Sequence, residues 1–589
     1  MADRSRQFSL AAIALLSFLL LAMPGMARAA TFTVNNTLDS GMGSLRDAIN
    51  NANGAPTVPN TINFTVSGTI TLLSALPAIA NTSPGSLTID GSGESITVDG
   101  ANSFQIFAVN TDATATVKFL TLARGSMPPL GLGGAIANDG TLSVINVTFS
   151  NNQAGSGGAI FNDGTLSVTN STFANNQAVS GGAITNSTVL LPLSPPPATL
   201  SITNSTFTSN LSRPSDGAFG SGGAIASDGI VIVTNSTFSD NQAAGDSHGG
   251  GNGGAISNVQ NDFTIPAPTP GTLIVTNTTF SGNQSFAGGG AIVTEDSNAS
   301  LKSTILAAST GGNCKNFGPA IADAGYNIAD DNTCGFSGTS VNNSTTLHLD
   351  PAGLANNGGP TQTIAIEPNS EALDFVPVAS CTDQSSPTPL PVTTDQRGLP
   401  RPDFGNPNFC DAGAFELQTM PFALAPNSER LQIARGTTLN SDQVNMAFTF
   451  IENGIPACDA ADNAFNGITV VLEHGTCASL DNAAIVMNLS PWMVHTVNHA
   501  IYGTFFGAVG PTTLSARMVQ LPTPAAPACG EWTLNIEIAG ADTEPFGNGP
   551  FALILSNPDG DQGCFDITNA IVGGQLPVPP HTVRRRVRR

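Results

Sequence analysis

Two aspartates at equivalent places in adjacent repeats of this sequence could act together on a glycosidic bond. Asp139 and Asp163 lie 24 residues apart, and each is followed by a glycine. Glycoside hydrolysis uses two carboxyl groups separated by roughly 5 to 9.5 Å, and equivalent residues on neighbouring strands lie about 4.8 Å apart. The spacing therefore permits a catalytic pair, but an Asp-Gly dipeptide is typical of an exposed turn, and we favour that interpretation.

A second kind of site could be formed by acidic residues and histidine in loops. The sequence Asp246-Ser247-His248 could be a catalytic or metal-binding loop, but it occurs in a single glycine-rich insertion, which favours a flexible linker. Asp330 and Asp331 form an acidic doublet between two cysteines, where a solvated loop is the simpler interpretation. Neither segment therefore gives a firm catalytic or metal site.

Histidines in the last quarter of the chain could bind zinc. His495 and His499 are four residues apart, a spacing that would place both imidazoles on one face of a helix, and His474 is close in sequence. The sequence lacks His-Glu-x-x-His, so ordinary surface or core histidines are the simpler interpretation. Aromatic residues of the same region could stack on sugar rings, although core packing is their commoner use: Trp492, Trp532 and Tyr502.

A polysaccharide lyase would need a basic residue beside a Ca²⁺ site. Between residues 133 and 290, the only basic side chain apart from His248 is Arg213, and it lies in an insertion. The regular repeats therefore lack the base. We assign no catalytic, cofactor-binding or metal-binding residue, and Ca²⁺ binding is left open without a motif that indicates it.

Composition limits the elements that could position any such site. Of 589 residues, 63 are Gly and 40 are Pro, while only 10% are charged. This excludes coiled-coil and long-helix proteins, whose surfaces need more charge. A net charge of −23 also makes nucleic acid a poor partner. We therefore predict an all-β protein rich in turns.

Residues 1–30 have the features of a signal peptide. Arg4 and Arg6 precede the apolar run 8–23, and Ala27-Arg28-Ala29 is a small-x-small cleavage site. No second apolar stretch of spanning length follows in the sequence. We therefore expect an exported protein with no transmembrane helix after signal removal.

An internal repeat dominates residues 133–300. Residues 133–156 have the sequence GGAIANDGTLSVINVTFSNNQAGS, and residues 157–180 have GGAIFNDGTLSVTNSTFANNQAVS. A unit of about 24 residues with short β-branched runs between Gly and Asn is typical of one coil of a parallel β-helix. The unit returns four more times, and its length varies only at two places, which we interpret as corner loops: 190–198, 211–220, 243–252 and 259–271.

Stacked coils would align equivalent side chains in ladders along the helix axis. We predict two apolar ladders, one aromatic ladder, and one amide ladder in which each asparagine side chain bonds to the next. The apolar ladders are Ile136, Ile160, Ile184, Ile225, Ile256 and Ile292, and Val144, Val168, Ile202, Val233 and Val275. The aromatic ladder is Phe149, Phe173, Phe207, Phe238 and Phe280, and the amide ladder is Asn146, Asn170, Asn204, Asn235 and Asn277.

The open first coil of such a solenoid needs a cover, and the sequence offers a short helix for it. Ser44 and Asp47 form a capping box. Four apolar residues then share one helix face: Leu45, Ala48, Ile49 and Ala52. We therefore expect residues 31–132 to form an N-terminal helical cap and less regular early coils.

The remaining chain is expected to form three further segments. We predict the last coils and a closing module at 301–417, and a small C-terminal β-sandwich-like domain at 418–576. A Pro-rich and Arg-rich tail occupies 577–589. The helix and its closing module would extend together from about residue 31 to about residue 416.

All eight cysteines lie in the second half of the chain, and no Cys-x-x-Cys is present. An even number of cysteines in an exported protein favours structural disulfides over zinc or redox chemistry. Sequential pairing is the simplest connectivity: Cys314 with Cys334, Cys381 with Cys410, Cys458 with Cys477, and Cys529 with Cys564.

The combination of GGAI with Phe-x-x-Asn resembles the repeat of polymorphic outer membrane proteins. The second element recurs five times: Phe149 to Asn152, Phe173 to Asn176, Phe207 to Asn210, Phe238 to Asn241 and Phe280 to Asn283. That family consists of surface-displayed β-helical passengers, several of which act as adhesins. The resemblance therefore implies a β-helix located at a cell surface or outer membrane.

Two flanking regions resemble modules of secreted bacterial proteins. Residues 31–53, TFTVNNTLDSGMGSLRDAINNAN, look like the start of proteins that carry a right-handed parallel β-helix. Residues 354–374 (LANNGGPTQTIAIEPNSEALD), 395–402 (DQRGLPRP) and 410–416 (CDAGAFE) look like a choice-of-anchor Q domain, which closes such helices. These resemblances imply a bacterial, secreted or cell-surface β-helix, and no catalytic residue transfers with them.

The leading hypothesis for function is adhesion or envelope interaction without catalysis. The ligand would be an extracellular protein or glycan, bound by the long ladder faces and the corner loops. Two alternatives remain: a polysaccharide lyase or glycoside hydrolase of β-helix type, and a structural spacer that displays the C-terminal domain. A groove with clustered carboxylates would favour the enzyme, whereas an Asn/Ser/Thr face would favour adhesion.

Overall fold

The structure is a computed structural model that describes residues 29–127, 131–187, 196–213, 220–245, 251–259, 271–385, 388–403, 406 and 408–418. Beyond residue 418 it describes the backbone of the strands between residues 422 and 572. The chain divides into two compact units, Met1–Gly398 with Asp411–Phe415, and Leu399–Cys410 with Glu416–Arg589. Residues 1–28 of the predicted signal peptide and the predicted tail lie outside the described residues, whereas Ala30, the last residue of the predicted signal peptide, begins the first strand.

The first unit is a parallel β-helix, as the repeat predicts. Three long parallel sheets run along it, with 11, 10 and 8 strands, and each repeat that begins with GGAI contributes one strand to each sheet. A shorter sheet of four two-residue strands lies at one corner: Gln177–Ala178, Leu211–Ser212, Gln242–Ala243 and Gln284–Ser285.

Sheet 1 is the longest, and its strands alternate buried and more exposed residues because successive side chains point to opposite faces. Its strands are Ala30–Val34, Pro59–Phe64, Ser86–Asp90, Thr114–Lys118, Thr141–Ile145, Thr165–Thr169, Thr199–Thr203, Ile230–Thr234, Thr272–Thr276, Asn298–Lys302 and Ala322–Asp323.

Sheets 2 and 3 have shorter strands. Sheet 2 consists of Gly68–Thr71, Ile96–Asp99, Thr121–Ala123, Thr148–Ser150, Thr172–Ala174, Thr206–Thr208, Thr237–Ser239, Thr279–Ser281, Ile305–Ala307 and Ile328–Ala329. Sheet 3 consists of Phe107–Val109, Ile136–Asn138, Ile160–Asn162, Ile184–Asn186, Ile225–Ser227, Ile256–Val259, Ile292–Glu295 and Cys314–Phe317.

The core is built from ladders of identical or similar side chains. Phe149, Phe173, Phe207, Phe238 and Phe280 are fully buried and stack with ring centroids 4.5 to 4.9 Å apart. The two apolar ladders pair in register on sheets 3 and 1, and their members are also buried. The core is therefore one continuous apolar column along the β-helix.

The predicted amide ladder is wrong, because its asparagines serve the backbone instead. Asn146, Asn170, Asn204, Asn235 and Asn277 have φ between 46° and 53°, the left-handed conformation that asparagine tolerates better than most residues. They turn the chain between sheets 1 and 2. The side-chain oxygens of Asn170, Asn204 and Asn235 are buried without a hydrogen-bond partner, so these amides do not bond to one another.

The amide ladder that does form uses the last residue of Phe-x-x-Asn. Each side-chain NH₂ donates to the Oδ1 of the next asparagine over 2.9 to 3.0 Å. The members are Asn152, Asn176, Asn210, Asn241 and Asn283, all fully buried. A second ladder runs from Asn138 to Asn162 and Asn186 at the opposite end of the coil, with bonds of 2.6 and 2.7 Å.

The first glycine of each GGAI is required by the backbone. Gly157 has φ +64°, and a Cβ there would collide with the carbonyl oxygen of Ile160. Gly133, Gly181, Gly222 and Gly253 have the same sign of φ and the same neighbour in their own coils. The tight corner before sheet 3 therefore excludes any side chain.

The α-helix Leu45–Asn53, here α1, contacts the first two strands of sheet 1. Ser44 accepts a hydrogen bond from the backbone N–H of Asp47, which is the first half of the predicted capping box. The Asp47 carboxylate accepts its bond from the N–H of Gly43, one residue before the expected donor Ser44. The four predicted apolar residues are buried: Leu45, Ala48, Ile49 and Ala52. Over the described part of the chain, no helix is both long and apolar enough for a membrane span.

The segment after the last coil does not continue the solenoid. Ile328 pairs with Val341 by a single bridge. Residues 342–385, 388–398 and 411–415, which we call the lateral module, then pack along the side of the coils, where Gln384 contacts Thr276 and Gln396 contacts Thr206. Their regular elements are the antiparallel strands Leu349–Ala355 and Thr363–Ile366, the short strand Val376–Pro377 and a 3₁₀ turn at Val378–Ser380. The expected closing module therefore contacts the side of the helix rather than extending its coils.

The cysteines that the structure describes are all oxidised. Cys314 and Cys334 form a disulfide that closes a 20-residue separation. Cys381 and Cys410 each take part in a disulfide bond as well. Cys458, Cys477 and Cys529 lie outside the described residues, and Cys564 lies in a strand whose side chains are not described. The predicted pairing is confirmed for Cys314 with Cys334, and the other three pairings stay predictions.

The second unit contains two mainly antiparallel sheets, one of eight strands and one of four. The larger consists of Phe422–Leu424, Arg430–Ala434, Asp442–Glu452, Met493–Val497, Ala500–Val509, Thr512–Pro522, Gly530–Ala541 and Ala570–Val572. The smaller consists of Ile468–Thr476, Ser479–Leu489, Phe551–Ser556 and Gln562–Ile567. A short strand, Phe409–Cys410, also belongs to this unit. The sandwich arrangement of the two sheets stays a prediction.

Candidate binding face

The outer side of sheet 3 is covered in most coils. Five outward residues, one in each of five consecutive coils, are at most 6% exposed: Phe161, Thr185, Ala226, Ser257 and Val293. Each of them is the second residue of its strand, and the first residue of each strand is an isoleucine that faces the core. Sheet 3 therefore offers little surface to an external ligand.

Sheet 2 is covered over its second half by the lateral module. Thr206 donates to the carbonyl of Gln362 over 2.5 Å, and Thr237 donates to the side chain of Gln396 over 2.6 Å. Further along, Thr279 accepts a hydrogen bond from the backbone of Ala414. These three threonines are buried, so this part of sheet 2 is an internal interface.

Sheet 1 is the face that stays accessible along most of its length. Its outward side chains form three columns, in which each residue pairs in register with its neighbour in the next coil. The first column is Pro59, Ser86, Thr114, Thr141, Thr165, Thr199, Ile230, Thr272 and Asn298. The middle column is Thr31, Thr61, Thr88, Thr116, Ser143, Ser167, Ser201, Ile232, Ile274 and Ser300, and the third is Thr33, Asn63, Asp90, Lys118, Ile145, Thr169, Thr203, Thr234, Thr276 and Lys302.

We call this surface the hydroxyl face, because Thr and Ser are its commonest residues. Its eleven strands span about 48 Å at an interstrand distance of about 4.8 Å, and adjacent columns are roughly 6.6 Å apart. Thr276 is its single buried member among the three columns. Threonine suits this position because β-branched side chains favour strands and expose a hydroxyl.

Most hydroxyls in the middle of the face are available to an external partner. In the described residues of the strands from Thr114–Lys118 to Thr199–Thr203, Thr199 donates to the carbonyl of Pro197 over 3.3 Å. The other column hydroxyls of these four strands make no hydrogen bond to a protein group in the described chain. Thr116, Ser143, Ser167 and Ser201 thus form an uninterrupted middle row of free hydroxyls.

The ends of the face are occupied by protein contacts. At one end, Thr33 donates to the Oδ1 of Asn63 over 2.8 Å. At the other, Gln384 of the lateral module accepts from Ser300 over 2.5 Å and donates to Thr276 over 3.0 Å. The accessible part therefore lies between these two ends.

Charge is nearly absent from the three columns. Asp90 and Lys118 neutralise each other in an ion pair of 2.9 Å; although burial opposes it, the hydrogen bond from Lys118 lowers the pKa of Asp90. Lys302 donates to Thr382 over 2.6 Å, and burial lowers its pKa while the nearby Asp383 acts in the opposite direction. The three columns thus carry only three charged side chains, Asp90, Lys118 and Lys302, in a chain whose net charge is −23.

The carboxylates that could form a glycosidase pair lie at a different corner. Asp139 and Asp163 follow Asn138 and Asn162, which pair in register, so they occupy equivalent bends between sheets 3 and 1. Burial raises the pKa of Asp139. The structure thus brings the two aspartates into adjacent coils, as the repeat predicts, at exposed or half-buried bends.

The other acidic doublet has a structural role in the last coil. The Asp330 carboxylate accepts hydrogen bonds from the backbone of Ala308 and from Asn313, and Asp331 accepts from Asn313 and Thr333. These bonds join successive turns of the chain near the Cys314–Cys334 disulfide. The doublet therefore lies in a loop that is at least partly exposed, as expected, and both carboxylates also accept hydrogen bonds from neighbouring loops.

Several sequence candidates cannot be placed. Residues 246–250 and most of the four predicted corner loops lie outside the described residues, as do His499 and Trp492. His495 lies in the strand Met493–Val497 and His474 in a strand of the other sheet, so His495 is not on the helix that the suggested zinc site requires. Trp532 and Tyr502 lie in strands whose side chains are not described.

Metal ligands do not cluster in the described residues. Among them, no group of three or more His, Cys, Asp or Glu side chains could hold a metal ion. The sequence predicts long ladder faces, but the three hydroxyl columns on sheet 1 were not identified from it. Their signal is the alternation in Thr165-Leu166-Ser167-Val168-Thr169, repeated in the next coil as Thr199 to Thr203.

Comparison with known proteins supports the repeat. Three segments of the chain match the Chlamydia polymorphic membrane protein (Chlamydia_PMP) repeat: residues 146–163, 235–259 and 277–295. No curated protein matches the chain significantly. A crystal structure of the enzymatically active domain of bacteriophage CBA120 tailspike protein 4 aligns at 12% identity with a TM-score of 0.21. That alignment covers 88% of this chain and 65% of the tailspike chain, which is less than two thirds of it. The chain is thus a parallel β-helix that carries repeats similar to those of the Chlamydia polymorphic membrane proteins.

Proposed function

We propose that this protein is an exported, cell-surface or secreted binding protein that engages its ligand through the hydroxyl face without catalysis. The observation that carries the proposal is the row of free hydroxyls on sheet 1, which the described part of the chain leaves uncovered along most of its length. The ligand class is an extracellular or envelope polymer, and the β-helix acts as the rigid support. The repeat similarity to surface proteins of Chlamydia supports this location.

The chemistry of the face favours binding over turnover. General acid–base catalysis needs a titratable group within hydrogen-bond reach of the reacting atom. The accessible middle of the face carries hydroxyl and aliphatic side chains, and its Asp90–Lys118 pair is mutually neutralised. A surface of this composition donates and accepts hydrogen bonds but has no group suited to proton transfer.

The experiment is a paired test of binding and turnover with the purified full chain. The protein is incubated with neutral and acidic polysaccharides and with whole envelope preparations; retention is measured, and the supernatants are assayed for new reducing ends and unsaturated uronates. We expect retention without new ends. Release of products that Asp163→Ala abolishes would replace the binding proposal with a glycoside hydrolase, and absence of retention on every ligand would remove it.

A further inference from the structure

We infer that the hydroxyl face binds an uncharged polysaccharide in ordered, multi-chain form, such as a fibre surface. The inference deepens the proposed function and rests on it, because it names the ligand class of the same face. Four successive strands carry the argument, from Thr114–Lys118 to Thr199–Thr203. We call their outward residues the central lattice.

The central lattice has no means of holding a single small ligand tightly. Its three columns contain no aromatic side chain and no pocket-forming large residue beyond Lys118 and Ile145. Sugar rings bound singly are usually held against aromatic faces, which bury much more area. A net hydrogen bond contributes only about 0.5 to 1.5 kcal/mol, so one sugar unit on this face would bind weakly.

Repetition compensates for weak individual contacts. Backbone hydrogen bonds fix each coil in register with the next, so the same hydroxyl returns once per coil: Thr141 pairs with Thr165, and Thr165 with Thr199. Many equivalent weak sites on a rigid support act together only on a ligand that is itself repetitive and rigid. A polymer that moves freely in solution would lose conformational entropy on binding, whereas a chain already ordered in a fibre has little left to lose.

The charge distribution of the protein favours an uncharged polymer as the ligand. The lattice has Lys118 as its charged residue, and this lysine is paired with Asp90. The rest of the chain has an acidic excess, with 42 Asp and Glu against 19 Lys and Arg. Acidic polysaccharides would be repelled by the protein's overall field and would find no basic column to offset that repulsion. Hydroxyl-rich uncharged glycans match the donors and acceptors of Thr and Ser.

The test compares ligands and two matched variants of the same coil. Full-length protein is sedimented with insoluble cellulose and chitin, and its binding to soluble cello-oligosaccharides, to alginate and to ice is measured in parallel. Ser167→Tyr places a large side chain in the middle of the lattice, on a strand position that tolerates aromatics. Thr172→Tyr adds the same side chain to sheet 2 of that coil and serves as the control. A second lattice variant, Ser143→Tyr, guards against a local folding defect, and circular dichroism checks all three.

We expect the wild type to sediment with at least one insoluble neutral glycan. Ser167→Tyr and Ser143→Tyr should each reduce the affinity for that glycan about tenfold or more. Thr172→Tyr should leave it unchanged. Equal affinity for soluble oligosaccharides, preference for alginate, or retention on ice alone would overturn the inference. If envelope material is retained but neutral fibres are not, and Ser167→Tyr still abolishes that retention, the proposed function survives and this inference fails. If no polymer is retained, both fail.

Discussion

The side-chain amide of Asn210 donates to the Oδ1 of Asn241 over 2.9 Å and also to the carbonyl oxygen of Phe173 over 2.9 Å. The Asn210 Oδ1 in turn accepts from both the backbone and the side chain of Asn176. One side chain thus connects three consecutive coils at the corner that follows the phenylalanine stack. The strands of sheet 2 end just before this corner, so backbone groups there cannot all be paired within that sheet and need side-chain partners.

Removing that amide should destabilise the adjacent coils. Asn210→Ala leaves two donors of Asn176 and one carbonyl without partners in a buried place, at about 1 to 3 kcal/mol for each unsatisfied group. We expect a loss of roughly 3 kcal/mol, measured by hydrogen exchange of residues 172–245. Asn204→Gly is the control: Asn204 has φ 53°, which glycine adopts freely, and its oxygen has no partner. Comparable losses in the two variants would contradict the assigned ladder.

The second amide ladder contains a repairable gap. Asn186 donates to the hydroxyl of Ser227 over 3.1 Å, but the serine is too short to reach the next coil, and both polar side-chain atoms of Asn258 are buried without partners. Ser227→Asn should restore the bonding seen between Asn138 and Asn162. We expect a gain of about 1 kcal/mol, visible as slower hydrogen exchange in residues 225–259. The control is Ser201→Asn on the exposed hydroxyl face, which should change hydrogen exchange in residues 225–259 little. Faster exchange of these residues in Ser227→Asn would contradict the prediction that an asparagine completes the ladder.

The aromatic stack should dominate the stability of the regular coils. Phe207 is fully buried, with ring centroids of Phe173 and Phe238 at 4.6 and 4.7 Å. Phe207→Ala should cost about 3 to 5 kcal/mol through lost burial and the cavity left behind, measured by urea unfolding. The matched control is Phe286→Ala, because Phe286 is 67% exposed. If both substitutions lower stability equally, the stack is not the main contributor.

Acid should weaken the contact between the N-terminal cap and the first coil through Asp39. Burial acts to raise the pKa of Asp39, but the hydrogen bond from Arg46 and the backbone N–H of Leu73 lower it below the ordinary value. A carboxyl whose folded pKa lies below its unfolded value of about 3.9 stabilises the protein above that pH, and the stabilisation disappears as the pH falls through the folded pKa. Arg46 also donates to the carbonyls of Ser74 and Ala75, so the pair joins the loop before α1 to the first coil.

The expected result is a decrease in urea stability of the wild type as the pH falls below about 4. Asp39→Asn should be less stable than the wild type at neutral pH and should show a flatter pH profile. Asp112→Asn, on an exposed turn, provides the comparison. Parallel profiles for wild type and Asp39→Asn would show that this carboxyl does not control the acid response.

The β-helix is predictable from the sequence because the same residue types recur at the corners of each coil. GGAI places a left-handed glycine before sheet 3, and the buried phenylalanine recurs in each unit. The identity of the amide ladder is subtler. The residue two positions after that phenylalanine is Asn151, Asn175, Ser209, Asp240 or Gly282, which share only a tolerance of positive φ. The residue after it is always asparagine, and this invariance among the five coils was the available signal for a side chain that is required.

The lateral module could not be placed by the same reasoning. Its contacts join residues about 160 positions apart, such as Asn235 donating to the carbonyl of Thr394 and Thr237 donating to Gln396. No local periodicity encodes such pairs, because each uses a single polar group and not a repeated pattern. The exposure of the hydroxyl face depends on this placement, since the module covers the second half of sheet 2 and leaves most of sheet 1 open.

The two length-variable corners give the coils an additional property. Every coil from Thr141–Ile145 to Thr272–Thr276 keeps the register of sheet 1, although the chain between consecutive strands varies in length. Gain or loss of one unit, such as residues 157–180, would change the number of rungs while leaving the chemistry of each rung intact. Binding strength in such a protein is therefore adjustable in whole-number steps by duplication or deletion of a short stretch of gene, without any change to the individual contacts.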